Sequence, residues 1–142
     1  MTISIGSDHA GFQYKEAIKI MLLDNNYTVD DHGTFTEDSV DYPDFVHPVA
    51  LAVTKKEADF GILVCGSGQG VMMTANKHQD IRAALCWTPE LAALARQHNN
   101  ANILCLAQRF MDLETVFEII KTFLSTKFEG GRHERRVNKM SC

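Results

Sequence analysis

Five short apolar runs, each separated from the next by a stretch of helical character, constrain this chain more than any other feature. They are TISIGS (2–7), YTVDD (27–31), FGILVCG (60–66), IRAALCW (81–87) and ANILCLA (101–107). FGILVCG is apolar without alternation, the pattern of a strand that a parallel sheet buries on both faces. The first helical stretch, GFQYKEAIKIMLLDNN, sets Phe12, Ile18, Met21 and Leu22 near helical spacing and ends at Asp24-Asn25-Asn26. A polar loop, HGTFTEDSVDYPDF, leads to a helix that Pro43 opens, that Pro48 loosens and that runs to about Glu57. GVMMTANK is a short helix. Thr88 is an N-cap with Pro89 in the first helical position of PELAALARQH, and Asp112 caps DLETVFEIIKTFLSTKF. Strand–helix alternation of this kind predicts an α/β domain with a five-stranded parallel sheet covered by helices on both faces.

The chain has 142 residues, enough for one domain with a sizeable core, and we read 1–142 as a single unit with a basic tail at about 129–142. A net charge of −4 argues against general nucleic-acid binding. No apolar run reaches the roughly 18 residues that a membrane span needs, and MTISIGSDHAG lacks the features of a signal peptide. The four cysteines, Cys65, Cys86, Cys105 and Cys142, form no CxxC pair. That usage suits a reducing cytoplasm better than a disulfide framework.

In parallel α/β sheets ligands bind beyond the carboxyl ends of the strands. Two loops there carry chemistry: SDHAG after the first strand and CGSGQG after the third. If those strands are neighbours, Asp8, His9 and Cys65 share a crevice. The glycine loop is neither a P-loop, since no GK[ST] follows, nor a dinucleotide fingerprint, since it is GxGxG after the wrong strand. Its glycines let backbone N–H groups approach an anion, which is either a phosphate or a reacting oxyanion. Cys65 heads the loop, where a helix N-terminus lowers a thiol pKa and a thiolate serves as nucleophile or base. Cys86 and Cys105 lie inside apolar runs and read as small buried hydrophobes. Of the six histidines, His32, His47, His78 and His133 read as mostly solvent-facing, leaving His9 and His98. A zinc reading on Cys65, His9 and Asp8 lacks any paired-ligand spacing, and no metal or cofactor is expected. In the tail, Arg132 and Arg136 are four apart, on one face of a helical turn as a phosphate clamp needs, and Arg109 follows the fifth strand.

The segments GSDHAGF, DYPDF, ILVCGSGQG, ANK, IRAAL, ARQHNNANIL and FEGGRHERRV, in this order, resemble the type B ribose-5-phosphate isomerases, a family that includes galactose-6-phosphate isomerase subunits. The resemblance spans nearly the whole chain. It implies a three-layer Rossmann-like domain, a homodimer with active sites at the interface, a sugar-phosphate substrate and no metal or nucleotide. It also implies interconversion of ribose 5-phosphate and ribulose 5-phosphate through a cis-enediolate, a step of the pentose phosphate pathway. By position, Cys65 resembles the base, Ser67 the hydroxyl that assists at the substrate oxygens and His98 the group that opens the furanose ring. Asp8, His9 and Asn99 resemble substrate contacts. Gly66, Ser67, Gly68, Gln69 and Gly70 resemble the loop that holds the anionic intermediate, and Arg109, Arg132 and Arg136 resemble phosphate contacts. Some relatives use a glutamate further along this loop; an apolar residue follows Gly70 here, which favours Cys65. The alternatives are a hexose 6-phosphate substrate (galactose or allose) and a sugar-phosphate-binding protein without catalysis, since fold does not fix function.

Overall fold

A computed structural model describes residues 1–141, and Cys142 lies outside the described residues. The chain runs β1 (Thr2–Ser7), α1 (Phe12–Asp24), β2 (Thr28–Asp31), α2 (Tyr42–Thr54), β3 (Phe60–Cys65), α3 (Gln69–Ala75), β4 (Ala83–Leu85), α4 (Pro89–Asn99), β5 (Ile103–Ala107), α5 (Leu113–Ser125) and α6 (Arg132–Val137). The strands form one parallel sheet in the order β2-β1-β3-β5-β4. β1 and β3 are neighbours, with Ser7 opposite Val64. β5 then inserts beside β3 and leaves three-residue β4 at the edge, an order beyond the first three strands that the sequence left open. The polar, basic tail folds its residues Arg132–Val137 into a sixth helix, which sets Arg132 and Arg136 about one turn apart.

Two cores cover the two faces. Ile62 and Val64 of β3 join Ile3, Ile5, Leu104 and Leu106 beneath α1, α4 and α5. Leu63 and Cys65 point the other way, with Ile103 and Cys105, into the layer beneath α2 and α3. Period-two alternation of wholly apolar residues thus serves both layers, as the unbroken run of β3 required. Asp112 caps α5 by accepting from Thr115 N–H at 2.9 Å, and Thr88 caps α4 by accepting from Leu91 N–H at 3.2 Å. Pro48 sits inside α2, which nonetheless continues to Thr54, three residues short of the expected end.

A buried ion-pair network joins α1 to the end of β2. Lys15 is fully buried, and its ammonium donates to both oxygens of Asp31 at 2.8 Å and to Glu16 at 2.9 Å. Asp31 also accepts from Lys19 and from the backbone N–H of Gly33. The following turn is pinned to β1, with Ser7 N–H donating to Gly33 C=O at 2.7 Å and Thr34 N–H to Ser7 C=O at 2.8 Å. The network therefore braces the end of β1 from which Asp8 emerges.

Candidate active site

At the carboxyl edge of the sheet the loops after β1, β3 and β5 and the start of α2 enclose a cleft of about 460 Å³, lined by Asp8, His9, Tyr42, Cys65, Gly66, Ser67, Gly70, Arg109 and Phe110 among others. Parallel pairing puts Asp8 beside Cys65, because β1 and β3 end level and Asp8 N–H donates to Val64 C=O at 3.3 Å. Asp8 is nearly buried, and its Oδ1 accepts from Gly11 N–H at 3.0 Å, which fixes the carboxylate at the mouth of α1. His9 accepts at Nδ1 from Val40 N–H at 3.1 Å. That bond requires the hydrogen on Nε2, so the other nitrogen of His9 is a donor.

Cys65 ends β3 with 4 % of its surface exposed, and its Sγ accepts from Gly68 N–H at 3.1 Å. Gly68 achieves this turn at φ +74°, a left-handed conformation costly for other residues, with Leu85 filling the space where a side chain would begin. Gly70 is needed for a different reason: a Cβ there would lie 2.7 Å from the ring of Tyr42, which packs directly on the loop. At the first turn of α3 the N–H groups of Gly70 and Val71 have no carbonyl of their own helix to bond. The loop after β5 laces onto the same edge. Gln108 N–H donates to Cys65 C=O at 2.9 Å and Arg109 N–H to Gly66 C=O at 3.1 Å, and the Arg109 guanidinium lies across Gly66.

Cys86 and Cys105 sit in the two apolar cores and do not line the cleft. Burial pushes the Cys86 thiol up to about 12 and the fully buried Cys105 well above its ordinary value, with Cys65 and Cys86 adding to the latter. Both stay protonated and act as core residues.

His98, Asn99, Arg132 and Arg136 do not join the cleft. They lie at the opposite edge of the sheet, because α4 runs back antiparallel to the strands and α6 follows the end of α5. β3 alone, six residues long, separates the two edges by roughly 20 Å. Gly68 and Gln69 belong to the loop but face Leu85 and solvent respectively.

The opposite edge has its own order. His98 stacks on His133, with ring centroids 4.2 Å apart and planes 10° from parallel. His133, read from the sequence as solvent-facing, is largely covered by this stack, its side chain 12 % exposed, and its Nε2 is 3.5 Å from Glu129. Desolvation first, then His98 and Arg132, hold the His133 imidazole below its ordinary pKa. Arg96, buried on α4, clamps the helix end by donating to Thr126 C=O at 3.2 Å, Asn100 Oδ1 at 3.0 Å and Ala101 C=O, over the face of Phe60. Asn99 borders a second hollow of about 340 Å³ with Arg82, Ala83 and Met140. Arg132 and Arg136 are exposed on α6, where the Arg136 guanidinium donates to Arg132 C=O at 3.4 Å.

Sequence reasoning missed Tyr42, Lys15 and Arg96. Tyr42 had a signal: it immediately precedes Pro43, and the N-termini of crossover helices lie at the carboxyl edge. Lys15 had none, since its partner Asp31 comes from another element.

Residues 3–140 match the family model described as Ribose/Galactose Isomerase. The ribose-5-phosphate isomerase B of Escherichia coli (strain K12) is 42% identical over 140 residues, which cover 99% of this chain and 94% of that one. The crystal structure of a ribose 5-phosphate isomerase from Thermotoga maritima superposes with a TM-score of 0.96 at 54% identity, covering 97% of this chain and 95% of that one. The ribose-5-phosphate isomerase B of Mycoplasma genitalium, solved with bound ribulose 5-phosphate, gives a TM-score of 0.94 at 45% identity, with 98% and 93% covered.

Proposed function

The chain belongs to the ribose/galactose isomerase family, and we propose that it interconverts ribose 5-phosphate and ribulose 5-phosphate with the Cys65 thiolate as the base. As a member of this family it is an enzyme, an aldose–ketose isomerase of sugar phosphates. One observation supports the assignment of the base: Cys65 lines the cleft, and its Sγ accepts from Gly68 N–H at 3.1 Å.

The reaction follows from the lining. With the sugar in its open form, the thiolate takes the proton from C2 and the C1 carbonyl accepts the electron pair, giving a cis-enediolate. The proton returns to C1, the O2 hydroxyl proton passes to O1, and ribulose 5-phosphate results. Ser67, beside Cys65, is suited to carry the proton between the two oxygens. The unpaired N–H groups at the start of α3 favour the oxyanion, at roughly 3–4 kcal/mol for one good donor. Base catalysis of this kind contributes about 10²–10⁴ in rate. The Asp8 carboxylate accepts from a sugar hydroxyl and the Nε2–H of His9 donates to a sugar oxygen or the phosphate, with Arg109 at the rim.

Ring opening by His98, and phosphate binding by Arg132 and Arg136, need these groups near the cleft. Within one chain they sit at the other edge of the sheet. We therefore propose a two-fold homodimer in which the edge bearing His98, Asn99, Arg132 and Arg136 meets the partner's cleft. Mixing tests this. Cys65→Ala and His98→Asn, each inactive, are unfolded together and refolded. Random pairing puts both defects in one site of each heterodimer and leaves the other intact, restoring about a quarter of native activity. A mixture that stays inactive while each variant dimerises would put Cys65 and His98 in one chain's site.

A further inference from the structure

We infer that Gln108 is a positioning residue for the proposed proton transfer: it holds the loop bearing Asp8 and His9 at a fixed distance from Cys65. The inference rests on the reading of Cys65 as the base.

Helix α1 starts without a cap of its own. Its N-cap is Gly11, which has no side chain to accept from the first turn. Glycine is required there, because a Cβ would run into the C=O of Val64. The mouth of α1 is thus pressed so close to the end of β3 that no side chain fits at the capping position. The N–H of Tyr14, in the first turn, has no carbonyl of its own helix to bond. It donates instead to Gln108 Oε1 at 2.9 Å, on a residue 94 positions away. Gln108 uses its own N–H for Cys65 C=O, also at 2.9 Å. One residue after β5 therefore grips the start of α1 with its side chain and the end of β3 with its backbone.

These bonds close a ring. Asp8 N–H reaches Val64 C=O at 3.3 Å, Gly11 N–H reaches Asp8 Oδ1 at 3.0 Å, and Gln108 completes the circuit from Tyr14 to Cys65. Asp8 and His9 lie inside it, on the stretch between β1 and α1. Gln108 is half-buried and does not line the cleft, so it acts through the groups it holds. The Tyr14 hydroxyl also donates to Met111 C=O at 2.7 Å. That bond keeps α1 on the sheet when the Gln108 amide is removed, so its loss loosens the ring without unfolding the chain. A sugar held by Asp8 and His9 then drifts relative to the thiolate, and a displacement of about 1 Å costs on the order of 10²-fold in rate.

Three variants of the full-length protein test this. Gln108→Met keeps the length and removes the acceptor, Gln108→Asn draws the amide back by one methylene, and Gln108→Glu keeps an acceptor oxygen in place. The Met and Asn variants should each lose roughly 10–100-fold in kcat, with KM for ribose 5-phosphate little changed. Inhibition by a phosphorylated hydroxamate, whose planar group mimics the enediolate, should weaken by a similar factor. Inhibition by inorganic phosphate should stay as in the native enzyme. Gln108→Glu should recover most of the kcat and of the hydroxamate affinity. An inhibition constant does not depend on how much of the enzyme is folded. A fall in kcat with native hydroxamate affinity would therefore reduce Gln108 to a stability role and overturn the inference. Native kcat in Gln108→Met and Gln108→Asn, or a Glu variant as impaired as they are, would overturn it too. Cys65→Ala, assayed beside them, separates the two readings. Turnover retained in Cys65→Ala overturns the base, and with it the inference; an inactive Cys65→Ala beside a native-like Gln108→Met overturns the role of Gln108 alone.

Discussion

The two edges of the sheet are built in opposite ways. At the carboxyl edge the groups proposed for proton transfer stand on strand ends. Cys65 and Asp8 are nearly buried, the loops after β1, β3 and β5 are cross-bonded, and Gly68 and Gly70 fit against Leu85 and Tyr42. At the other edge the groups proposed for ring opening and phosphate binding stand on helix ends and a short terminal helix. Arg132 and Arg136 are exposed there, while His98 and His133 are tied into a stack. A proton-transfer centre needs positions held to fractions of an ångström, which buried strands supply. A phosphate clamp tolerates more freedom, because charge attraction acts over a longer distance. The contrast teaches that damage at the first edge should fall on rate or folding, and damage at the second on binding.

The largest expected effect is at Cys65. Cys65→Ala should lower kcat by about 10²–10⁴, leave sugar-phosphate affinity within a few-fold and abolish solvent-deuterium incorporation into product. Rapid-quench kinetics with isotope analysis would check this; near-native turnover would move the base elsewhere in the cleft.

A second test asks whether the carboxyl edge is braced from beneath. Asp31→Asn leaves the buried Lys15 ammonium without its main partner and should cost about 3–5 kcal/mol of stability at neutral pH. Burial alone would raise the Asp31 pKa, but hydrogen bonds from Lys15, Lys19 and Gly33 N–H outweigh it and hold the carboxyl below its ordinary value. A depressed folded pKa means that Asp31 contributes stability above the unfolded value, about 4, and loses it as pH falls through the folded value. The gap in urea midpoint between native and variant should therefore be widest above pH 5 and narrow as the pH falls below 4. A gap independent of pH would separate Asp31 from the brace.

The smallest effects belong to the other edge. Arg132→Ala and Arg136→Ala should each raise KM by roughly 10–100-fold, the worth of a charged hydrogen bond. Stability should change by no more than about 0.5 kcal/mol, as for exposed residues. Inorganic phosphate should inhibit the variants less than the native enzyme. Unchanged phosphate inhibition in both would reduce the α6 arginines to a solvated surface.

The alternation of apolar runs and capped helices determined the fold class, because strand period and helix caps are local properties. Thr88, Pro89 and Asp112 stand at helix starts as read, and FGILVCG is the doubly buried strand. The pairing of Asp8 with Cys65 was also within reach, since loops that leave neighbouring parallel strands meet at one edge. Three things only the tertiary structure decided. The insertion of β5 between β3 and β4 depends on packing between distant segments. The burial of Lys15 depends on Asp31, sixteen residues away on another element. The stack of His98 on His133 depends on how the chain turns back after α5 to meet the end of α4. Local rules set what each segment becomes; which charges and rings meet is set by the direction each segment takes across the sheet, and no single segment carries that information.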